Sequence, residues 1–471
     1  MLGVVLLAYA MTVLDATVVN VALPAIQSDL HFSPSGLTWV INAYLITFGA
    51  FLLVAGRLGD LIGRRRAFLY GVTSFAAASA LCGLASSPGL LVGARLLQGI
   101  GGALAAATVL AIIVAEFSDP AERARAMSLY VLVAVSGGSL GLLVGGVVAD
   151  ALSWHWIFFI NVPIAVAALA LGRRLLSRDT GLGLREGVDG FGAVLVTAAM
   201  MVGVYGIVGA ADHGWGSLRT LGLLALAIIM LAGFGAWEGR VKNPILPLRL
   251  LRLRSLIDAS VVRGFLAIGM YTAFFFGTLY LQNILGFGPV ATGFAFLPMT
   301  LTVAALSTGI VAALVRRYGP RPLLFFGLTV MVGGLLLLSS QDADASYAPM
   351  TLIALLLMGL GAGTAMMPLL TLAMDGVPRA DAGIASGIVN VTMQVAAALG
   401  LAVLGTLSAD HAQSLRAAGH SAADALLSGY HLALFVAAGI VVVGIGLAAV
   451  QLRPRTEPAL ATLEEEAIAE R

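Results

Sequence analysis

Fourteen apolar runs of about twenty residues follow one another through the chain with short polar connections between them. A run of that length crosses a ~30 Å hydrocarbon core as a helix, and lipid admits only spans that satisfy their own backbone hydrogen bonds. The runs lie near residues 2–23, 37–56, 67–86, 89–115, 127–149, 157–175, 190–210, 218–237, 256–281, 289–315, 320–340, 349–374, 383–407 and 430–451. Only 11% of the residues are charged, where a soluble domain carries about 25%. The fold class expected is therefore an all-α integral membrane protein. The single cysteine, Cys82, rules out an intramolecular disulfide framework. The first run carries Asp15 and lacks a basic leader, so it reads as a permanent helix rather than a cleaved signal.

Arginine placement sets the orientation. With both termini in the cytoplasm, Arg64, Arg65, Arg66, Arg123, Arg125, Arg173, Arg174, Arg178, Arg185, Lys242, Arg249, Arg252, Arg254, Arg316, Arg317, Arg321 and Arg379 all fall inside. The outer connections then keep only Arg219 and Arg416, as the positive-inside rule requires. The sequence also echoes itself. Residues 63–71, GRRRAFLYG, return as residues 319–327, GPRPLLFFG, and SLGLLVGG at 139–146 resembles ALGLAVLG at 398–405. Two related six-helix bundles, 1–175 and 256–452, account for both echoes, with an inserted helix pair and its linkers at 176–255 and a cytoplasmic tail at 453–471. Parallel repeats with a site at their interface are a transporter architecture.

Two charges lie deep in this apolar frame. Asp15 stands about thirteen residues into the first span, ~20 Å from the inner surface at 1.5 Å per residue. Arg95 stands about seven residues past Pro88 in the fourth span, at the same depth when entered from the other side. Opposite charges at equal depth are natural partners, and intramembrane ionisable groups generally serve function. A pair that loosens to let the acid take a proton is a usable switch; a static pair that fixes helix register is the plainer alternative.

The loop after the second span reads G-x-L-x-D-x-x-G-R-R, with Gly56, Asp60, Gly63, Arg64 and Arg65 at its fixed positions. Its glycines suit tight turns and close helix contact. Asp60 suits pairing with the arginines or the positive end of a neighbouring helix. The fifth span carries Gly137, Gly141, Gly145 and Gly146, and small residues so spaced let helices approach closely. Polar positions inside spans of both bundles, Asn42, Tyr44, Gln98, Tyr271 and Gln394, are candidates for lining a substrate cavity. Arg263 is expected to reach toward the inner surface. The six histidines fall in or beside outer connections without a ligand pair on one helix face, so no metal site is expected.

These residues resemble the major facilitator superfamily, and within it the fourteen-helix drug:proton antiporters. LDATVVNVALP at 14–24 is similar to that group's first-helix signature. GRLGDLIGRRRAFL at 56–69 is similar to the superfamily's loop between helices 2 and 3, and RLLQG at 95–99 to its fourth-helix motif. WHWIFFINVP at 154–163 is similar to the aromatic run before helix 6, with His155 where an arginine is usual. The resemblance implies two six-helix bundles plus two inserted helices, with Asp15 as proton site and Arg95 as its partner. It also implies that Asp60 with Arg64 or Arg65 forms a latch. One position departs from it: Leu142 stands where the antiporter motif of the fifth helix has proline.

The function expected is proton-coupled export of small amphipathic compounds by alternating access from the plasma membrane. The proton is the coupling ion, and no cofactor, metal or nucleic acid partner is expected. The bilayer is the surrounding medium, and the chain is expected to act as a monomer. The sequence leaves open a proton-coupled symporter with the same fold and acid. A membrane-embedded enzyme has less support, because no nucleophile–base set lies inside the spans.

Overall fold

The computed structural model describes residues 1–117, 120–177, 179, 181, 189–241, 244, 250–342, 346–375, 377 and 382–452. Arg178, Arg185, Lys242, Arg249, Arg379 and the tail 453–471 lie outside the described residues, as do the side chains of Arg57, Asp60, Arg123 and Arg125. The described residues are helical throughout, without strands. The helices are α1 (Leu2–Leu30), α2 (Trp39–Ile62), α3 (Arg64–Gly83), α4 (Pro88–Glu116), α5 (Pro120–Ala151), α6 (Trp156–Phe159) and α7 (Asn161–Leu175). There follow α8 (Gly190–His213), α9 (Leu218–Glu238), α10 (Arg254–Leu279), α11 (Pro289–Ala305) and α12 (Val311–Tyr318). The last are α13 (Pro320–Leu338), α14 (Leu352–Met374), α15 (Ala382–Ala417) and α16 (Ala422–Gln451). Among the described residues, ten helical stretches are long and apolar enough to cross a membrane, and Gly36–Leu52, Leu140–Ala151 and Pro289–Ala305 are shorter apolar helices.

Helices α1 to α7 pack on one another, as do α10 to α16, while α8 and α9 form a hairpin that touches α2 and α15. The two groups meet along α5 with α11 and along α2 with α15. At the first seam the chains approach backbone to backbone. A side chain at Gly146 would set its β-carbon 2.5 Å from the Pro289 carbonyl oxygen, and one at Gly293 would lie 2.7 Å from that of Leu142. At the second, the methyl of Thr38 fills the space beside Gly405, and Gly49 admits Gln394. Gln282, in the π-helical turn Tyr280–Ile284 that follows α10, donates to the Val21 carbonyl at 2.8 Å.

Several helix ends differ from the sequence reading. The first run continues through Pro24 to Leu30. Asn20 lies one turn before this proline, and its side-chain amide donates to Thr17 O at 3.2 Å. The tenth run is not one regular helix: α11 passes into a π turn, Leu306–Ile310, where Gly309 has φ 113°, before α12 resumes. Glycine tolerates that backbone at no steric cost. The thirteenth run extends to Ala417, well beyond its apolar stretch.

Candidate functional site: a sealed ion cluster between α1, α4 and α7

Asp15 falls at the middle of the 29-residue α1, and its carboxylate is fully buried. Arg95, two turns into α4, is 1% exposed. The Arg95 Nη1 donates to Asp15 Oδ2 at 2.6 Å. The second carboxylate oxygen, Oδ1, accepts from Gln98 Nε2 at 2.7 Å and from Asn161 Nδ2 at 2.9 Å. Three donors on one buried acid satisfy an ionised carboxylate, and such charge-assisted bonds are about twice as strong as neutral ones.

The guanidinium is held as fully as the acid. Its Nε donates to the Val40 carbonyl of α2 at 2.9 Å, and Nη1 also donates to Gln98 Oε1 at 2.7 Å. The Tyr44 ring lies 4.4 Å below the guanidinium carbon, an attractive cation–π contact. Beyond these, Asn161 Nδ2 also donates to Ser79 Oγ at 3.0 Å, and Ser79 Oγ donates to the Phe158 carbonyl at 2.8 Å. The Cys82 thiol lies 3.5 Å from Gln98 Oε1 and donates to it. Four helices thus converge on one ion pair, with α2 contributing a carbonyl and an aromatic face.

The expected pairing of Asp15 with Arg95 is present. Gln98 and Tyr44, read from sequence as cavity lining, here belong to the ion cluster instead: Gln98 lies one turn after Arg95 on the same face of α4. Sequence reasoning missed Asn161 and Ser79. Asn161 sits inside the 154–163 motif, where a lone amide at the head of an apolar helix was the available signal. Of the remaining cavity candidates, the Tyr271 hydroxyl donates to Gln394 Oε1 at 3.3 Å across α10 and α15, while Asn42 is buried apart from both.

The glycines of α5 pack tightly on α1. Gly137 meets Val13, Gly141 meets Thr17 and Gly145 meets Val18, whereas Gly146 faces Pro289 across the seam. Helix α5 runs unbroken through Leu142, whose carbonyl abuts Gly293.

At the α2–α3 turn, Gly63 has φ 92°, a conformation that favours glycine. The carboxylate at the N-terminus of α3 is that of Asp179, which accepts from the backbone N–H of Arg64 at 2.6 Å and of Arg65 at 3.2 Å. An anion there suits the helix dipole. Arg65 Nη2 donates to the Arg173 carbonyl at the end of α7. The side chain of Asp60 lies outside the described residues. Among the described residues, no atom lies within 4 Å of where a β-carbon at Gly56 would go. Arg263, expected to reach the surface, is half-buried, and its Nε lacks a partner among the described residues. No group of His, Cys, Asp or Glu among the described residues could hold a metal ion.

A family model described as Major Facilitator Superfamily matches residues 5–401. The chain belongs to the major facilitator superfamily. Within the superfamily it is 40% identical to the puromycin resistance protein pur8 of Streptomyces alboniger, over 97% of this chain and 92% of that protein. It is 37% identical to the tetracenomycin C resistance and export protein of Streptomyces glaucescens, over 85% of this chain and 74% of that one. The superfamily fold is also seen in the solved structure of the POT family transporter PepTSo, with a TM-score of 0.67 at 14% identity, covering 96% of this chain and 98% of that one. The protein is a multi-span membrane transporter of the superfamily, not an enzyme.

Proposed function

We propose that this protein exports small amphipathic compounds in exchange for protons by alternating access, with Asp15 as the group that binds and releases the proton. The observation that carries the reading is the sealed cluster of Asp15 with Arg95, Gln98 and Asn161. Protonating Asp15 removes the countercharge of a buried guanidinium, and an uncompensated buried charge is costly. Protonation and this closed geometry therefore oppose each other, so proton binding favours a different arrangement of the helices. A substrate that prefers the opposite arrangement is then coupled to the proton. The relatives named for puromycin resistance and for tetracenomycin C resistance and export support an organic, amphipathic cargo.

The two moving bodies are the six-helix bundles 1–175 and 256–452, with 176–255 as an inserted pair and 453–471 as a tail, giving fourteen spans with both termini in the cytoplasm. The arginine bias of the connections supports that orientation in the plasma membrane. Gly56, Asp60, Gly63, Arg64 and Arg65 act at the inner gate. Asn42, Tyr271 and Gln394 line the substrate path, with Tyr44 and Gln98 tying it to the ion cluster. The transporter works as a monomer without a cofactor.

The test is substrate-driven proton movement in proteoliposomes with an imposed pH gradient, wild type beside Asp15→Asn. Adding substrate on the loading side should move protons in the wild type and leave the pH unchanged in Asp15→Asn. Equal proton movement in both sinks the assignment, and proton flow in the same direction as substrate makes the protein a symporter.

A further inference from the structure

Asn42 is fully buried, yet neither its amide nitrogen nor its amide oxygen has a hydrogen-bond partner among the described residues. An unsatisfied buried amide is rare because it forfeits its hydration without replacement. Its place in the fold says what it waits for. Thr38, in the turn just before α2, and Gly49 of α2 mark two points where this segment meets α15, at Gly405 and at Gln394. At 100° per residue, Asn42 lies about 20° round α2 from Gly49, so it lies on the same seam between the two crossings. The ion cluster engages the other side of α2, through Val40 and Tyr44.

The facing stretch of α15, residues 395–404, reads VAAALGLAVL. It offers no side-chain donor or acceptor, and Ala398, Leu401 and Ala402 within it are fully buried. Its backbone groups are committed to the helix. Of the polar groups at the two crossings, Thr38 Oγ1 donates to Ser35 O at 2.7 Å, and Gln394 Oε1 accepts from Tyr271, so neither is bonded to Asn42. While the seam is shut, Asn42 faces a surface that has nothing to give it.

We propose that Asn42 is a conformation-biasing residue: its orphaned amide opposes closure of the α2–α15 seam and is satisfied, by water or by a polar group of the substrate, only when the seam parts. The proposal rests on the alternating-access reading and adds to it the residue that sets the balance between the two states. The bias keeps closure from becoming a resting trap, because the closed seam is otherwise apolar and tightly packed.

The test is the distance across the seam in purified, lipid-reconstituted protein. Nitroxide labels on Ser28→Cys and Ser414→Cys, both exposed positions at this end of the bundle, report it by pulsed electron resonance; the native Cys82 is buried and stays unlabelled. Asn42→Leu removes the orphaned amide with little change in shape, and the closed-to-open ratio should rise about tenfold. Asn42→Asp puts a charge against the same apolar face and should deplete the short-distance population. Whichever state dominates in the wild type, one variant moves it. If leucine does not fold, Asn42→Ala replaces it with the same expected direction. Distance distributions unchanged in both variants, or moved in the reverse sense by either, overturn the proposal. The measurement needs neither substrate nor gradient, so its failure is separate from failure of Asp15 as the proton site.

Discussion

Asn161 holds the same oxygen of Asp15 that Gln98 holds, its Nδ2 2.9 Å from Oδ1. This contact brings the head of α7 to the centre of α1, so the buried acid is held from both α4 and α7. Asn161→Leu removes one donor from a buried carboxylate and strips Ser79 of a partner. Thermal unfolding in detergent should show a loss of about 1.5–3 kcal/mol, the usual range for a hydrogen bond to a charged group. Unchanged stability would mean that the contact is dispensable.

Arg95 and Asp15 should behave as a unit. Arg95→Leu alone leaves a buried carboxylate without its countercharge and should cost about 3–5 kcal/mol. Asp15→Asn together with Arg95→Leu removes both charges and should recover much of that loss. A double-mutant cycle on unfolding free energies measures the coupling, and additive single effects would contradict it.

The α5–α11 seam leaves no room for a side chain. Gly293→Val would press its β-carbon against the Leu142 carbonyl, 2.7 Å away before any branch is added. The variant should fold, because α11 can move outward, but should fail to close the seam. Transport in vesicles should fall at least about tenfold, while cross-linking between α5 and α11 at this level is lost. Full transport would show that turnover does not require this closure.

Charge stoichiometry follows from a single acid. On the proposed reading, in which Asp15 is the coupling acid and the one acid of the buried ion cluster, one proton per cycle is expected. One charge moving through 100 mV is worth ~2.3 kcal/mol. Export of a neutral compound should therefore respond to membrane potential, whereas a monovalent cation exchanged for one proton should respond to the pH gradient alone. Dication export at the same rate as monocation export would contradict the count.

The ion pair was legible in the sequence because depth in a membrane helix is arithmetic. Asp15 and Arg95 sit at levels that rise per residue fixes, and lipid offers neither charge a partner. The family was legible in the loop at 56–65 and the RLLQG of α4 for the same reason: spacing survives without coordinates. What spacing does not carry is helix rotation between distant segments. Asn161 was therefore missed, because the sequence does not record how α7 is turned toward α1, 146 residues away. Asp179 was invisible because its partners lie 114 and 115 residues away across a turn. The meeting of Leu142 with Gly293 depends on the register of two helices from different bundles, which neither helix records alone.

Pro24 leaves α1 short of one backbone donor, and three residues before it Gln282 reaches over to the Val21 carbonyl. That side chain is a bolt of modest strength thrown between the two bundles, worth about 1 kcal/mol net. Ordinary thermal motion can draw it many times a second. For the alternating access proposed here, such a fastening serves better than a buried salt link in the same place.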